Sequence, residues 1–351
     1  MRIVKPNAVI IDDSQMTAYQ KIERCGRTCY KSEDKITADS AVKFVQNMLR
    51  SGHTAMLEHS YIYLYLSREI GEQFARHLSQ LSAFRIKGDT VTKYFDISVA
   101  WCGHIISGSF RTFINLFNVT LGAVKVPDDL AEAVNAVYKA LNNVYPELFP
   151  ETEVFATEGT EYTSVEVYKT ADEFIQNVHK KVKAIGGDPS APIVSALIKK
   201  HVARTVVFTC DRGVSHEFVR HRPCGFAQES TRYCNYSKDK YGNEITVVEP
   251  CFYEQDTVKY EIWKYTCEVA EMAYFKLLAN GGMAQQARSV LPNSLKTELV
   301  ITATEDEWQH IVNLRYVGTT GAPHPQMVEC MSIAYPQLNE ISEGRIVASD
   351  K

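Results

Sequence analysis

One short stretch of the sequence concentrates side chains that could do chemistry. Three arginines and a histidine fall within thirteen positions, together with hydroxyl and amide groups: Arg220, His221, Arg222, Gln228, Ser230, Thr231, Arg232 and Tyr233. Arginine is a fixed cation whose planar fork pairs with two oxygens of a phosphate or carboxylate at once. Because crowded cations repel each other, the spacing predicts a site for several anionic groups. A solvated basic loop is the alternative that spacing alone leaves open.

Composition limits what else the chain could be. Its 351 residues allow one large or two ordinary domains, and a hydrophobic share of 45% is enough for a core. The net charge of −4 argues against broad nucleic-acid binding, so we expect no nucleic-acid partner and a local anion site. The sequence has no long apolar run and no signal-peptide core, and its nine cysteines lack a Cys-x-x-Cys pair. We therefore expect a cytoplasmic protein with reduced cysteines and without a membrane segment.

Hydrophobic periodicity predicts the elements that position these residues. Helices are expected over 39–51, 214–221, 256–280 and 305–316, with a further short helix ending at Pro292. Strands are expected at the run SYIYLYL, residues 60–66, and at Thr205–Thr209. Helices and strands without regular βαβ alternation indicate an α+β fold.

Two blocks of sequence resemble the flavin-dependent thymidylate synthases. The first covers residues 1–66, with CGRTCYKSEDK and GHTAMLEHS, and the second runs from about 203 to 338, with the Arg-His-Arg motif, Ser230 and Arg232-Tyr233. The resemblance implies a mixed β-sheet flanked by helices. It also implies a catalytic domain of 1–66 plus 203–351 and an insertion of unknown role at 67–202. Within the insertion, SREIGEQFARHLSQ partly repeats the spacing of the Arg-His-Arg segment. We interpret it as a coincidence or a local helical pattern rather than as a duplicated site.

The resemblance implies a role for each motif residue. Arg220, His221 and Arg222 would contact FAD, as would His53, Ala55 and Gln228. The residues that would line dUMP are Glu217, Arg220, Gln228, Glu229, Ser230, Thr231, Arg232 and Arg288. Arg315, in Asn313-Leu314-Arg315, would contact the uracil edge and act as the catalytic cation, because a fixed positive charge stabilises negative charge that develops on the ring.

The chain departs from the family pattern at three places. Ala55 stands where Ser or Thr is frequent. Thr304-Glu305-Asp306 replaces Asn-x-Arg, and His310 replaces an Asn on the following helix. Thr304 and His310 occupy positions that in the family touch the adenosine end of the flavin, so the resemblance implies that they contact FAD there with side chains that differ from the family pattern.

Other chemistries are compatible with single motifs. His53-x4-Glu58-His59 has the wrong order for a zincin, which needs His-Glu-x-x-His on a helix, so no metal is expected. Ser230 lacks a Gly-x-Ser-x-Gly elbow, which favours phosphate binding over nucleophilic attack. Cys224 follows Pro223, as the nucleophile does in the classical thymidylate synthases, and the neighbouring arginines could activate its thiolate.

The function expected from the resemblance is synthesis of dTMP from dUMP. Methylenetetrahydrofolate would donate the carbon, FAD would carry a hydride from NADPH, and the enzyme would be a homotetramer. The absence of Gly-x-Gly-x-x-Gly means that FAD would not sit in a Rossmann domain. Two alternatives remain: a noncatalytic nucleotide- or RNA-binding protein on the same scaffold, and an assembly protein whose insertion dominates its role.

Overall fold

The computed structural model describes residues 1–83, 95–101, 103–122, 128–152 and 164–348. By its internal contacts the chain divides into two compact units. Unit 1 consists of residues 1–11, 24–36 and 204–351, and unit 2 consists of residues 12–23 and 37–203. Each unit has a four-stranded sheet and apolar cores of its own.

The strands of the described residues, in chain order, are β1 (Arg2–Val4), β2 (Asn7–Ile10), β3 (Tyr61–Ser67), β4 (Asp96–Ala100), β5 (Gly103–Ser109), β6 (Val165–Tyr168), β7 (Ala203–Asp211), β8 (Gly225–Gln228), β9 (Thr246–Val248) and β10 (Lys296–Thr304). The helices are α1 (Ala18–Tyr30), α2 (Ser40–Arg50), α3 (Arg68–Ala83), α4 (Phe110–Gly122), α5 (Asp128–Val144), α6 (Ala171–Ala184), α7 (Pro192–His201), α8 (Arg212–Phe218), α9 (Val258–Ala279), α10 (Ala284–Ala287), α11 (Glu305–Val312) and α12 (Pro325–Ile341). The predicted combination of helices and sheets is confirmed.

The sheet of unit 1 has the strand order β2-β7-β10-β8. The pairs β2–β7 and β10–β8 are antiparallel, and Leu299 on β10 lies opposite Gln228 on β8. Strands β7 and β10 are rich in Val, Thr and Ile, whose branched side chains pack well on a pleated surface. The buried side chains of α11 and α12 share one core with them, including Trp308 and Met331.

Helix α11 is held in unit 1 by a buried polar network. Glu305, which is fully buried, accepts hydrogen bonds from Arg204 Nε at 3.0 Å and from Arg345 Nε at 2.7 Å. The indole Nε1–H of Trp308 donates to the Arg204 carbonyl at 3.0 Å. A buried carboxylate needs such partners because desolvation without them is very costly. These contacts fix the start of the helix that leads to Arg315.

The sheet of unit 2 has the order β4-β5-β3-β6, and its three pairings are antiparallel. Strand β3 is apolar on both faces, which indicates burial from both sides. One face contributes Ile62, Leu64 and Leu66 to a core with helices α3 to α5, and the other contributes Tyr63 and Tyr65 to a core with α6 and α7.

Most predicted elements agree with the structure. The helices expected over 39–51 and 256–280 correspond to α2 and α9, and the two expected strands correspond to β3, which is shifted by one residue, and to β7. The helix expected over 214–221 is α8, which begins and ends earlier. The helix expected over 305–316 is α11, followed by the wider π-helical turn Asn313–Val317.

The division into a catalytic domain, 1–66 plus 203–351, and an insertion, 67–202, stays a prediction. By contacts, β3 belongs to unit 2, because it pairs with β5 and β6. Residues 67–80, which partly repeat the spacing of the Arg-His-Arg segment, lie largely in α3. No helix of the described residues combines the length and the apolar character that crossing a membrane requires.

The histidine His201, at the end of α7, makes the stability of unit 2 depend on pH. Its Nδ1 lies 2.8 Å from Ser107 Oγ and its Nε2 lies 2.9 Å from Ser98 Oγ. Burial, reinforced by the charge of Lys200, lowers the pKa of His201 from 6.5 to about 3. The unfolded chain therefore binds a proton below pH 6.5 that the folded chain does not bind, and folded stability falls as pH falls.

We predict that His201→Gln removes this pH dependence, because an amide can keep two hydrogen bonds but does not titrate. The free energy of unfolding of wild type should drop by about 2 kcal/mol relative to the variant between about pH 7 and about pH 5. Urea denaturation at several pH values measures the difference. A difference that stays constant across this range would contradict a neutral, buried His201.

Candidate functional site

The Arg-His-Arg motif lies just after α8, in unit 1. Asp211 is the N-cap residue of helix α8, and its Oδ1 accepts the Val214 N–H at 2.7 Å. The chain leaves the helix in turns that expose Arg220 and Arg222 and bury His221. The motif thus presents two cations to solvent and one imidazole to the interior.

Arg315 contacts this motif directly. Its Nε donates to His221 Nε2 at 3.1 Å, and its Nη1 donates to Glu217 Oε2 at 2.7 Å. Its Nη2 also donates to the Glu217 carbonyl at 3.3 Å. The guanidinium group is therefore oriented from two sides, although 22% of the Arg315 side chain remains exposed. Three predicted site residues come together here: Glu217 and His221, which are neighbours in sequence, and Arg315, which lies more than ninety residues further on.

Other predicted arginines keep their charge available. Among the described residues, no carboxylate oxygen lies within 4 Å of the guanidinium groups of Arg220, Arg222, Arg232 or Arg288. Arg222 Nη1 donates only to backbone carbonyls, those of Val219 and His221. Exposed guanidinium groups without acid partners are the donors that phosphate oxygens need.

Ser230, Thr231 and Arg288 form a second group. The Ser230 N–H donates to the Cys29 carbonyl at 3.1 Å, and Ser230 Oγ accepts the Arg232 N–H at 3.3 Å. Arg288 Nη1 donates to Thr231 Oγ1 at 3.3 Å. The turn that contains Ser230 and Thr231 therefore holds two hydroxyl groups close to Arg232 and Arg288, an arrangement typical of an anion-binding site.

Gln228 and Glu229 are held by protein contacts. Gln228 Nε2 donates to Ser215 Oγ at 2.8 Å, and so joins β8 to α8. Glu229 is buried and accepts from Lys296 Nζ at 3.0 Å. Burial alone would lower the pKa of Lys296, but Glu229 and Glu298 outweigh it and the pKa is raised. Glu229 lines a cavity of about 490 Å³ whose walls carry both cations and acids.

Thr304 and His310 lie at the two ends of α11. Thr304 is the N-cap residue of the helix: it is buried, and its Oγ1 accepts the Glu307 N–H at 3.4 Å. His310 is exposed, and its ring centroid lies 5.7 Å from that of His221. The hydroxyl of Thr304 thus has a structural role, whereas His310 lies next to the group formed by His221, Arg315 and Glu217.

His53 and Ala55 belong to unit 2. His53 is exposed and precedes the 3₁₀ helix Thr54–His59, which contains the half-buried Ala55. Glu58, from the same motif, forms an ion pair with Arg111. Their assignment to the flavin stays a prediction.

The alternative chemistries find little support in the geometry. Cys224 is half-buried and packs against the core of unit 1. Ser230 Oγ accepts a backbone N–H, as a turn residue does. One group of potential metal ligands, which was not expected from the sequence, does occur: ligand atoms of His221, Glu307 and His310 lie within 4.8 Å of one another.

Sequence reasoning missed Glu307 and Lys296. Glu307 lies beside His221, with Oε1 3.4 Å from Nδ1, and Lys296 neutralises Glu229. The position of Glu307, three residues before His310 on a predicted helix, was an available signal, because residues at i and i+3 share a helix face. No pattern in the sequence indicated the Lys296–Glu229 pair.

The similarity to known proteins lies mainly in the second of the two motif blocks, from about residue 203 to residue 338. The sequence profile of the thymidylate synthase complementing protein family matches residues 196–334. The flavin-dependent thymidylate synthase of Pyrococcus furiosus is 31% identical over 106 residues, which cover 30% of this chain and 43% of that protein. The enzyme of the same name from Thermococcus onnurineus is 27% identical over 149 residues, covering 42% of this chain and 58% of that protein.

Residues 196–334 of this chain are therefore similar in sequence to that family. The resemblance indicated by the motifs is confirmed there. The chain spans about half the length of the curated relatives it matches. A solved structure titled as a UMP/dUMP methylase PolB from Streptomyces cacaoi aligns over 50% of this chain and 92% of its own, with 17% identity and a TM-score of 0.35. That score is too low to establish a shared fold.

The family implies a flavin, and the residues present fit one in part. The exposed, acid-free Arg220 and Arg222 suit the pyrophosphate of FAD. At the family's adenosine-contacting position Thr304, the hydroxyl already accepts a helix N–H. The Thr304 contact therefore supports helix capping more than flavin binding.

We predict that Thr304→Val lowers the free energy of unfolding by about 1 kcal/mol, because the valine cannot accept the Glu307 N–H, and that Thr304→Ser keeps most of it. Urea denaturation followed by circular dichroism measures both. If valine and serine variants are equally stable, the hydroxyl does not cap α11.

Proposed function

We propose that this chain is a flavin-dependent thymidylate synthase, which makes dTMP from dUMP with methylenetetrahydrofolate as carbon donor and NADPH as reductant. The observation that supports this proposal most strongly is the geometry around Arg315, a cation that Glu217 and His221 orient. Arg220 and Arg222, on the adjacent turn, have no carboxylate oxygen within 4 Å in the described residues. The family match over residues 196–334 supports the same reaction.

The residues of unit 1 would divide the binding between them. Arg288, Ser230 and Arg232 would hold the dUMP phosphate, because they combine guanidinium groups with a turn that has hydroxyls and backbone donors. Arg220, His221 and Arg222 would hold FAD. The flavin, when bound, would supply the hydride that converts the transferred methylene into a methyl group.

Arg315 would stabilise the charge that develops on the uracil ring. A guanidinium group keeps its proton at any working pH, so it acts through position and charge rather than by proton transfer. Because Glu217 and His221 already orient it, little reorganisation is needed when charge appears, and this is the condition for electrostatic catalysis.

The same proposal includes a cytoplasmic homotetramer. The eight cysteines of the described residues are free thiols, which supports a reducing compartment. The predicted division into a catalytic domain, 1–66 plus 203–351, and an insertion, 67–202, is kept as part of the proposal.

A noncatalytic nucleotide-binding protein is the second candidate. It is favoured by the segment Thr304–Asp306, where the threonine caps α11 and Glu305 is buried between two arginines. Side chains engaged in this way cannot reproduce the flavin contacts that Asn-x-Arg makes in the family.

Purification of the full chain followed by visible spectroscopy separates the two candidates. We expect a yellow protein whose flavin is bleached by NADPH without oxygen and is reoxidised when dUMP and methylenetetrahydrofolate are added, with formation of dTMP. A protein that neither carries nor takes up FAD, but binds dUMP, would favour the noncatalytic candidate.

We predict that Arg315→Ala lowers turnover by ~10²–10³-fold, the usual cost of losing one pre-organised donor. Arg315→Lys should retain part of the activity, because it keeps the charge but loses the two-pronged contact with Glu217. Steady-state kinetics of dTMP formation measures both, with the exposed Arg50→Ala as control. Turnover of Arg315→Ala equal to that of the control would remove Arg315 from the mechanism.

A further inference from the structure

A chain of polar contacts connects Glu307 to Arg315 through the ring of His221. Arg315 Nε carries a hydrogen and donates to His221 Nε2 at 3.1 Å, so Nε2 acts as an acceptor. In a neutral imidazole whose Nε2 accepts, the proton is on Nδ1. That nitrogen lies 3.4 Å from Glu307 Oε1.

The surroundings make this arrangement specific. The His221 side chain is 3% exposed and that of Glu307 is 11% exposed. Glu307 Oε1 is buried without a protein hydrogen bond of standard geometry in the described part of the chain, so its nearby donor is the His221 ring. The backbone of Glu307 is itself fixed, because its N–H donates to the N-cap Thr304.

We propose that Glu307 is a positioning residue for Arg315. Its carboxylate keeps the His221 proton on Nδ1, so that Nε2 stays free to hold the guanidinium group of Arg315. With the opposite tautomer, the Nε2 hydrogen would point at the Arg315 Nε hydrogen and displace the arginine. A catalytic role for the contact between His221 and Arg315 rests on the proposed function, whereas the orientation of the His221 ring does not. An outer carboxylate that orients a histidine is a general device for fixing a functional group.

A metal ion is the competing occupant of the same residues, since His221, Glu307 and His310 offer ligand atoms within 4.8 Å of one another. Binding at Nδ1 would require that nitrogen to lose its proton while Nε2 still accepts from Arg315. The guanidinium charge, 3.1 Å from the ring, also repels a cation. These two facts favour the carboxylate–histidine–arginine chain.

The first test reads the tautomer directly, in protein without ligands. Long-range nitrogen–proton NMR of histidine-labelled protein distinguishes the two neutral tautomers, and the spectrum of His221→Asn identifies the His221 signals. We expect Nδ1 to be protonated in wild type and in Glu307→Gln, whose amide oxygen can still accept. In Glu307→Ala we expect loss of this preference, and in the exposed Glu340→Ala no change. Retention of the wild-type tautomer in Glu307→Ala would overturn the proposal.

The second test is a double-mutant cycle on dTMP formation. Glu307→Ala should lower kcat ~10–100-fold, the usual cost of removing an orienting partner, and Glu307→Gln should restore most of it. In an Arg315→Ala background Glu307→Ala should cost nothing further, because its effect passes through the arginine. Full additivity of the two losses would overturn the proposal.

The two tests separate this proposal from the proposed function. A wild-type protein that makes no dTMP but shows the expected tautomers refutes the enzyme and leaves the positioning of Arg315 intact. A zinc titration completes the design. Stoichiometric Zn²⁺ binding that shifts the His221 signals and is abolished by Glu307→Ala would replace the positioning role with a metal site.

Discussion

The main physical constraint on the site is the electrostatic repulsion between its positively charged arginines, which neighbouring acids and water must reduce. Only Arg315 is neutralised by a neighbouring acid, Glu217, while Arg220 and Arg222 on the adjacent turn have no acid within 4 Å in the described residues. Separated cations of this kind are stable at an exposed surface because water screens them. An anionic ligand that displaced this water would gain the interaction with all of them, and for this reason we propose phosphate-bearing ligands for the site.

The rigid support of this site is the start of α11. Glu305 is fully buried between Arg204 and Arg345, and removing either arginine would leave the buried carboxylate with one cationic partner instead of two. Trp308 adds a buried hydrogen bond to the backbone of β7. These contacts fix the helix on which Glu307 and His310 lie and from which the chain continues to Arg315. Precise positioning of a charged group requires support of this kind.

Much of the fold was predictable from local sequence, because α2 has a clear apolar stripe of period 3.6 and β3 is a short, continuous apolar run typical of a buried strand. The grouping of Glu217, His221 and Arg315 followed from the family motifs and agrees with their contacts in the structure. Contacts between residues far apart in sequence were not predictable in this way. The Glu229–Lys296 pair and the Glu307–His221 contact depend on tertiary packing, which leaves no periodic signal. The cap at Thr304 has a local signal, because a threonine followed three residues later by Glu307 is typical of a helix start.

The central claim is that the arginines of unit 1 form a binding site for an anionic nucleotide. Calorimetric titration of the full chain with dUMP and, separately, with deoxyuridine tests it most directly, because the two differ only by the phosphate. We expect dUMP to bind much more tightly than deoxyuridine, added salt to weaken the binding of dUMP, and Arg288→Ala to remove most of the difference between the two ligands. Equal affinity for dUMP and deoxyuridine, or dUMP binding unaffected by salt and by Arg288→Ala, would contradict it.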